Sequence, residues 1–264
     1  MNVAVIGCGY WGKKYVRVLT ELGHRAVTVD VTGDAMLRSH KDCRDIDAAI
    51  VATPASTHAT IAIDLLNARI PTLVEKPMAL SVADAGRMMS TAQSTDTRLA
   101  VANMFRFYDF GLLPSGLDRI EARWLGGVGP REDCDVLWDM APHAIDMCNM
   151  LFSGLCQAVT PATFSDRVLV LTYPSGKAEL RVSSSVLARW DVTRTLRCEG
   201  EGWRTTFDLK HMKTHGGSEP LKLMVYEFLS GKLPDSLLAA RRRCHPEDGL
   251  EVVRILEMAH AHYS

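Results

Sequence analysis

Three groups of residues in this chain have the types and the spacing that chemistry requires. The first is Gly7-x-Gly9-x-x-Gly12, which follows the β-branched run Val3 to Ile6 and opens the stretch Lys13 to Leu22. There Tyr15, Val16, Val18, Leu19 and Leu22 recur at helical spacing until Gly23 stops the pattern. In a strand, turn and helix of this kind the first glycine permits the tight turn, the second lets a pyrophosphate approach the backbone, and the third allows close packing. The helix amino terminus adds unpaired N–H groups and positive potential. Asp30 follows the next strand-like run, Arg25 to Val29. A carboxylate there accepts hydrogen bonds from ribose hydroxyls and repels a 2′-phosphate, which selects NAD over NADP. The competing reading is a chance glycine turn in an unrelated α/β fold, with Cys8 a small filler of the loop.

The second group is Glu75-Lys76-Pro77, just past the apolar run Thr72 to Val74. A lysine at the carboxyl edge of a parallel sheet can donate to a carbonyl or hydroxyl oxygen on which negative charge develops. Taken alone, the triplet also reads as a solvated loop lysine. The third group is Trp138-Asp139-Met140-Ala141-Pro142-His143-Ala144-Ile145-Asp146. With Asp139 as the N-cap of a helix running to Leu151, Pro142 falls in the first turn, where its missing N–H is harmless. Asp139 and His143 then share a face one turn apart. A carboxylate beside an imidazole orients it and raises its basicity, which suits a proton acceptor. A capping aspartate near a packed histidine is the plainer alternative.

The elements that must position these groups follow from periodicity. Strand-like runs at Val3 to Ile6, Arg25 to Val29, Ala48 to Ala52, Thr72 to Val74 and Leu99 to Ala102 alternate with helical stretches at Lys13 to Leu22, Thr57 to Ala68 and Ser81 to Ala92. Ser81, with Asp84 three residues on, reads as a capped start. That alternation predicts an α/β half with a doubly wound parallel sheet. After about residue 115, strands are predicted at Arg119 to Trp124, Ala158 to Phe164, Val168 to Tyr173, Lys177 to Ser183 and Thr193 to Glu199, with a hairpin turn at Pro174-Ser175-Gly176. A mostly antiparallel α+β half is therefore expected, closed by a helix from Pro246 to Tyr263. The predicted domains are 1–106 and 107–264, with the 246–263 helix free to pack back on the first.

A length of 264 residues holds one large or two small domains. With 47% hydrophobic and 23% charged residues the composition excludes a chain that stays disordered. Thirty Lys plus Arg against 31 Asp plus Glu leave a formal charge of -1, so no global positive field recruits nucleic acid or an anionic membrane surface. No apolar run approaches the roughly 20 residues that span a bilayer. Met1 to Gly7 lacks the basic segment of a signal peptide and reads as a first strand. The seven cysteines form no C-x-x-C pair and are odd in number, which fits buried thiols in a reducing cytosol better than disulfides or zinc. No metal is expected, and the chain is expected to be cytoplasmic. Arg241-Arg242-Arg243 reads as a solvated charge run before a diphosphate clamp.

Four segments in order, Val5-Ile6-Gly7-Cys8-Gly9-Tyr10-Trp11-Gly12, Val51-Ala52-Thr53-Pro54-x-x-x-His58, Glu75-Lys76-Pro77-Met78 and Trp138-Asp139-x-x-Pro142-His143-x-x-Asp146, resemble the Gfo/Idh/MocA oxidoreductases over nearly the whole chain. The resemblance implies an amino-terminal Rossmann domain followed by an open-faced sheet domain through which members form homodimers or homotetramers. It implies that Lys76 contacts the reacting oxygen, that His143 is the acid/base, and that Asp139 binds substrate and orients the catalytic groups. It places Thr53, Pro54 and Glu75-Lys76 around the nicotinamide half of the cofactor, and counts Tyr10, Trp11 and His58, within the same motifs, as cofactor-binding. Asn103 and Arg106, after the last Rossmann strand, are candidate substrate contacts, as is Arg131. The glycine loop and the Trp-Asp-x-x-Pro-His form look most like members acting on nucleotide sugars.

Two departures from the family stand out. Between Asp30 and Ala48 there is too little sequence for the usual helix, strand and helix, leaving a short helix near Ala35 to His40 and an edge strand reduced or absent. Phe110 to Arg119 is likewise too short for the long helix that leads into the second domain. The expected activity is NAD-dependent hydride transfer to or from a secondary alcohol or ketone of a sugar or nucleotide sugar. Reduction of an imine or other non-sugar carbonyl is one alternative, and a non-catalytic dinucleotide-binding protein is another.

Overall fold

The computed structural model describes residues 1–110, 113–125, 134–152, 154–163, 168–183, 193–212, 219–232 and 245–261. Arg131, Phe164, Arg241–Arg243 and Tyr263 lie outside the described residues. The chain divides into two compact units, Met1–Phe107 with Ser218–Leu250, and Tyr108–Gly217 with Glu251–Ser264.

The first unit is built on five parallel strands in the order β2-β1-β3-β4-β5: β1 (Asn2–Ile6), β2 (Arg25–Val29), β3 (Ala48–Val51), β4 (Thr72–Val74) and β5 (Leu99–Val101). The inner strands are short and buried along their length, as strands covered on both faces by helices must be. The register aligns Val29, Ile6, Val51, Val74 and Val101 as one row across the sheet. The chain therefore leaves the sheet at a common edge, and the residues that follow each strand are neighbours: Asp30, Gly7, Ala52-Thr53, Glu75-Lys76 and Ala102-Asn103. Helices α1 (Tyr10–Glu21), α2 (His58–Asn67) and α3 (Val82–Ser94) form the crossovers. Ser81 Oγ caps α3 by accepting from Asp84 N at 3.0 Å.

Between β2 and β3 the predicted helix at Ala35 to His40 does not form. Leu37 instead makes a single parallel bridge to Val29, its N–H donating to Thr28 O at 3.0 Å while Asp30 N donates to Leu37 O at 3.1 Å. A 3-10 turn follows at His40–Asp42. The edge of the sheet offers unpaired backbone groups, and a connection this short satisfies them with one extended residue sooner than it nucleates a helix. The edge strand expected to be reduced or absent here is represented by that one bridge.

Residues 218–250, assigned by the sequence to the second domain, group with the first unit. The reason is a helix that the sequence reading passed over, α5 (Pro220–Ser230), which starts on proline and stops at Gly231 in the left-handed conformation (φ 68). Its Leu221, Met224, Val225 and Phe228 join the core of Val3, Val5, Tyr15, Val18, Leu19, Ile50, Leu73 and Phe107.

The second unit carries six strands in the order β11-β10-β6-β9-β8-β7: β6 (Leu117–Leu125), β7 (Ala158–Thr163), β8 (Val168–Tyr173), β9 (Gly176–Ser183), β10 (Thr193–Gly200) and β11 (Trp203–Asp208). Only the β6 and β9 pair is parallel. Helix α4 (Val136–Leu151) packs on β9 and β6, burying Ile120, Ala122, Trp124, Ala178, Leu180 and Val182. The alternate residues of β6, β9 and β10 are charged and pair along the opposite face, with Arg123 on Glu121 at 2.6 Å, Arg181 on Glu179 at 2.8 Å and Arg197 on Glu199 at 2.9 Å. The last helix, α6, spans Pro246–His260.

Candidate functional site

The glycine turn is shaped by what lies behind it. Gly7 has φ +91, and a Cβ there would stand 2.6 Å from the Ala52 carbonyl oxygen, on the neighbouring strand. At Gly12 a Cβ would fall 1.9 Å from Gly7 O, so the third glycine lets α1 sit against the turn. Gly9 is different: nothing lies within 4 Å of its would-be Cβ. It is the N-cap of α1 and makes no side-chain capping bond, and the first turn of the helix is closed by Lys13 N donating to Gly9 O at 3.1 Å. The open space at Gly9 and the uncapped N–H groups of Tyr10, Trp11 and Gly12 form the cradle that a pyrophosphate fills.

Asp30 lies across from this turn. Its Oδ2 accepts from Cys8 N at 2.6 Å, and its Oδ1 accepts from Thr32 N and lies 3.0 Å from Thr32 Oγ1. The Cys8 N–H, followed by the Thr32 N–H, holds the Asp30 carboxyl below the usual aspartate range, so it is ionised and able to accept from a ribose. Tyr10 and Trp11 project from the first turn of α1 edge to face, ring centroids 5.6 Å apart, with Lys14 Nζ 4.4 Å and 4.5 Å from the two rings. Tyr10 is 71% exposed. A glycine cradle, an anion-binding helix end and an ionised carboxylate at the tip of β2 are the groups a dinucleotide requires, and these residues fit it.

Along the same edge, Thr57 Oγ1 lies 2.7 Å from both Thr53 Oγ1 and Pro54 O. His58 is buried, its Nδ1 2.8 Å from Pro77 O and its Nε2 2.9 Å from Thr53 O, so the ring bridges the loops after β3 and β4. Glu75 is buried too: Tyr15 donates to its Oε1 at 2.6 Å and Lys76 N donates to its Oε2 at 3.0 Å. The side chains of His58 and Glu75 thus hold the loops that frame the edge. Lys76 is half-buried and precedes a cis Pro77. Asn103 and Arg106 are both 3% exposed, and Arg106 Nη1 donates to Asp248 Oδ2 at 2.8 Å.

In the second unit the third group sits on α4, which starts earlier than the sequence predicts. Asp135, not Asp139, is the N-cap, its Oδ1 accepting from Leu137 N at 2.9 Å and Trp138 N at 3.0 Å. The gain that moves the start is burial of Leu137 and Trp138 against the sheet. Asp139 becomes the fourth helical residue and Pro142 lies inside the helix, where it leaves the Trp138 carbonyl without its usual donor. Asp139 and His143 remain one turn apart, the first half-buried and the second 8% exposed.

Arg194, on β10, is a residue of this site that the sequence reading missed. It donates to Leu125 O at 2.7 Å and to Thr193 O at 2.8 Å and lies 5.7 Å from the Trp124 ring. Burial pulls its pKa down to about 10, with the Asp139 carboxylate acting the other way. No motif marks it; only the pairing of β10 with β6, under α4, brings the cation to Asp139. Among the described residues no three His, Cys, Asp or Glu are grouped to hold a metal ion, and no helix is long and apolar enough to cross a membrane.

Known proteins resemble this chain in sequence and in fold. Residues 27–103 match a family model described as an oxidoreductase family with an NAD-binding Rossmann fold. The chain is similar to a UDP-N-acetylglucosamine 3-dehydrogenase of Acidithiobacillus ferrooxidans, 25% identical over 219 residues, which cover 75% of this chain and 68% of that protein. It is similar to an inositol 2-dehydrogenase of Saccharopolyspora erythraea, 31% identical over 148 residues, and there it spans 43% of the relative's length and 49% of its own. The solved structure of the A. ferrooxidans enzyme superposes with a TM-score of 0.78 at 20% identity, covering 99% of this chain and 97% of that one, which establishes the same fold.

Proposed function

We propose that this chain, whose residues 27–103 match the Gfo/Idh/MocA oxidoreductase family model with its NAD-binding Rossmann fold, is an NAD(H)-dependent oxidoreductase of that family acting on a secondary alcohol or ketone of a sugar, with a nucleotide sugar as substrate. The observation that carries the reading is the cradle at Gly9, open beside an uncapped helix end and faced by the ionised Asp30. The similarity to a UDP-N-acetylglucosamine dehydrogenase supports the nucleotide-sugar substrate.

A nicotinamide cofactor bound there supplies the two-electron acceptor or donor. The N–H groups of residues 10–12 bind its diphosphate, and Asp30 accepts from the adenosine ribose and repels a 2′-phosphate, which favours NAD over NADP. Thr53, Pro54, His58 and Glu75 frame the reactive half, and Tyr10 and Trp11 the outer edge. The Lys76 ammonium donates to the substrate oxygen and stabilises the negative charge that grows on it. In the oxidative direction His143 takes the hydroxyl proton as the carbon gives up its hydrogen with two electrons; in reduction it returns that proton. Asp139 holds the imidazole and contacts substrate, and Arg194 balances its charge. Asn103, Arg106 and Arg131 are the proposed substrate contacts. The charged outer face of the second sheet is the proposed surface for a homodimer or homotetramer, and the free cysteines, Cys8, Cys43, Cys134, Cys148, Cys156 and Cys198, suit a reducing cytosol.

The test is Lys76→Met and His143→Ala with NADH binding measured by calorimetry. Turnover should fall by at least about a hundredfold in each, the usual scale for a lost acid/base or oxyanion donor, while NADH affinity is kept. Undiminished turnover overturns the reading.

A further inference from the structure

Lys76 emerges where the sheet ends, and a short chain of side chains helps to fix its backbone. Glu75 N makes the last ladder bond, to Val51 O at 2.9 Å. One residue on, the Lys76 N–H has no strand to pair with and donates to Glu75 Oε2 at 3.0 Å. Pro77 has no N–H, and its carbonyl faces His58 Nδ1 at 2.8 Å. The backbone at Lys76 is therefore anchored to the Glu75 carboxylate.

That carboxylate is 8% exposed, and a buried carboxylate is retained only where donors replace its water. Tyr15 supplies one, its hydroxyl 2.6 Å from Glu75 Oε1, in the range of a charge-assisted bond. Tyr15 is itself fully buried among Val18, Leu19 and the strand residues of the core, so its ring has no freedom to follow a wandering carboxylate. It stands on α1, whose first turn is the cradle. A greasy core position filled by a ring with a hydroxyl aimed at a buried carboxylate is more than packing demands, since phenylalanine fills the same volume.

We propose that Tyr15 is a positioning residue for Lys76: by holding Glu75 in the rotamer that receives the Lys76 N–H, it sets where the lysine ammonium projects and ties that loop to the cofactor-binding helix. The inference rests on Lys76 serving as the donor to the reacting oxygen.

The experiment is a double-mutant cycle of Tyr15→Phe and Glu75→Gln on the full chain, with Lys76→Met as the reference. Losing one hydrogen bond to a charged group and the alignment it gives is expected to lower kcat roughly tenfold in Tyr15→Phe. KM and NADH affinity should change by less than about twofold, because the cradle is untouched. Glu75→Gln should lower kcat similarly, and the double variant should be no slower than the slower single one. A merely structural tyrosine would leave kcat per folded molecule unchanged or add its effect to that of Glu75→Gln; either result overturns the proposal. If Tyr15→Phe yields no folded protein, Glu75→Gln alone decides, an unchanged kcat overturning it. Full turnover in Lys76→Met would instead remove the reading of the site on which the inference rests.

Discussion

The backbone N–H of Cys8 donates to Asp30 Oδ2 at 2.6 Å, so the middle of the glycine turn is fastened to the tip of β2 before any ligand arrives. A carboxylate already oriented by this bond and by Thr32 loses little freedom on accepting a ribose. Asp30→Asn keeps the shape and one acceptor but removes the charge. NAD affinity should fall by roughly tenfold, the scale of a hydrogen bond to a charged group, and the preference for NAD over NADP should narrow. Calorimetry with both dinucleotides reads this directly, and an unchanged preference would show that Asp30 does not discriminate.

The same bond sets a pH dependence. The Asp30 carboxyl is held below its ordinary range, chiefly by the Cys8 N–H. A group depressed in the folded state stabilises above its unfolded pKa of about 3.9, and the contribution is lost as pH falls through the lower folded value. The stability advantage of the native chain over Asp30→Asn should be level from about pH 7 to about pH 5 and shrink only below about pH 4. Denaturant unfolding across that range checks it; an advantage that fades above pH 5 would mean the carboxylate is not held as described.

Two glycines three residues apart, Gly9 and Gly12, should respond in opposite ways. A side chain at Gly9 meets nothing within 4 Å, whereas one at Gly12 meets Gly7 O at 1.9 Å, backbone against backbone. Gly9→Val should fold with a loss of about 1 kcal/mol for a poorer N-cap yet bind NAD at least tenfold more weakly, on the order of a blocked contact. Gly12→Ala should cost about 3 kcal/mol or more from overpacking. Thermal unfolding and NAD titration separate the two, and tight NAD binding by Gly9→Val would remove the cradle from the account.

Helix α5 is fastened by a buried carboxylate. Glu227 is 2% exposed and accepts from Arg98 Nη2 at 2.7 Å, while Arg98 Nη1 donates to Phe228 O at 2.7 Å. Arg98→Ala would strand that charge, and a loss of about 3 kcal/mol is expected. The exposed pair of Arg17 with Glu219, at the other end of α5, should matter little when Arg17 is replaced. Urea unfolding of the two variants compares them, and equal effects would contradict the distinction.

Much of this molecule is legible in its residues. The parallel strands are short β-branched runs; Gly7 and Gly12 mark the turn because neighbouring backbone excludes a side chain at either, and Gly9 and Asp30 complete the cradle by their spacing from them. The start of α4 is ambiguous in the sequence because two aspartates four residues apart both suit an N-cap, and only tertiary burial of Leu137 and Trp138 chooses Asp135. Helix α5 and the hairpin of β10 with β11 carried readable signals, Pro220 and Gly231 for one and Gly202 at φ 75 for the other. Tyr15 with Glu75, Arg194 beside Asp139 and the Leu37 bridge were not legible. Each joins residues distant in the chain or depends on which edge is left unpaired, and no local pattern reports either.

The central claim is that this chain performs nicotinamide-dependent redox chemistry on a sugar through Lys76. Its most direct measurement is the change in NADH absorbance with a panel of free sugars and UDP-sugars, run side by side for the native chain and Lys76→Met, with NADH binding confirmed for both. The account predicts cofactor turnover by the native chain on at least one sugar, and loss of at least about a hundredfold in the variant at unchanged NADH affinity. Equal turnover by the two proteins, or no NADH binding by the native chain, would contradict it.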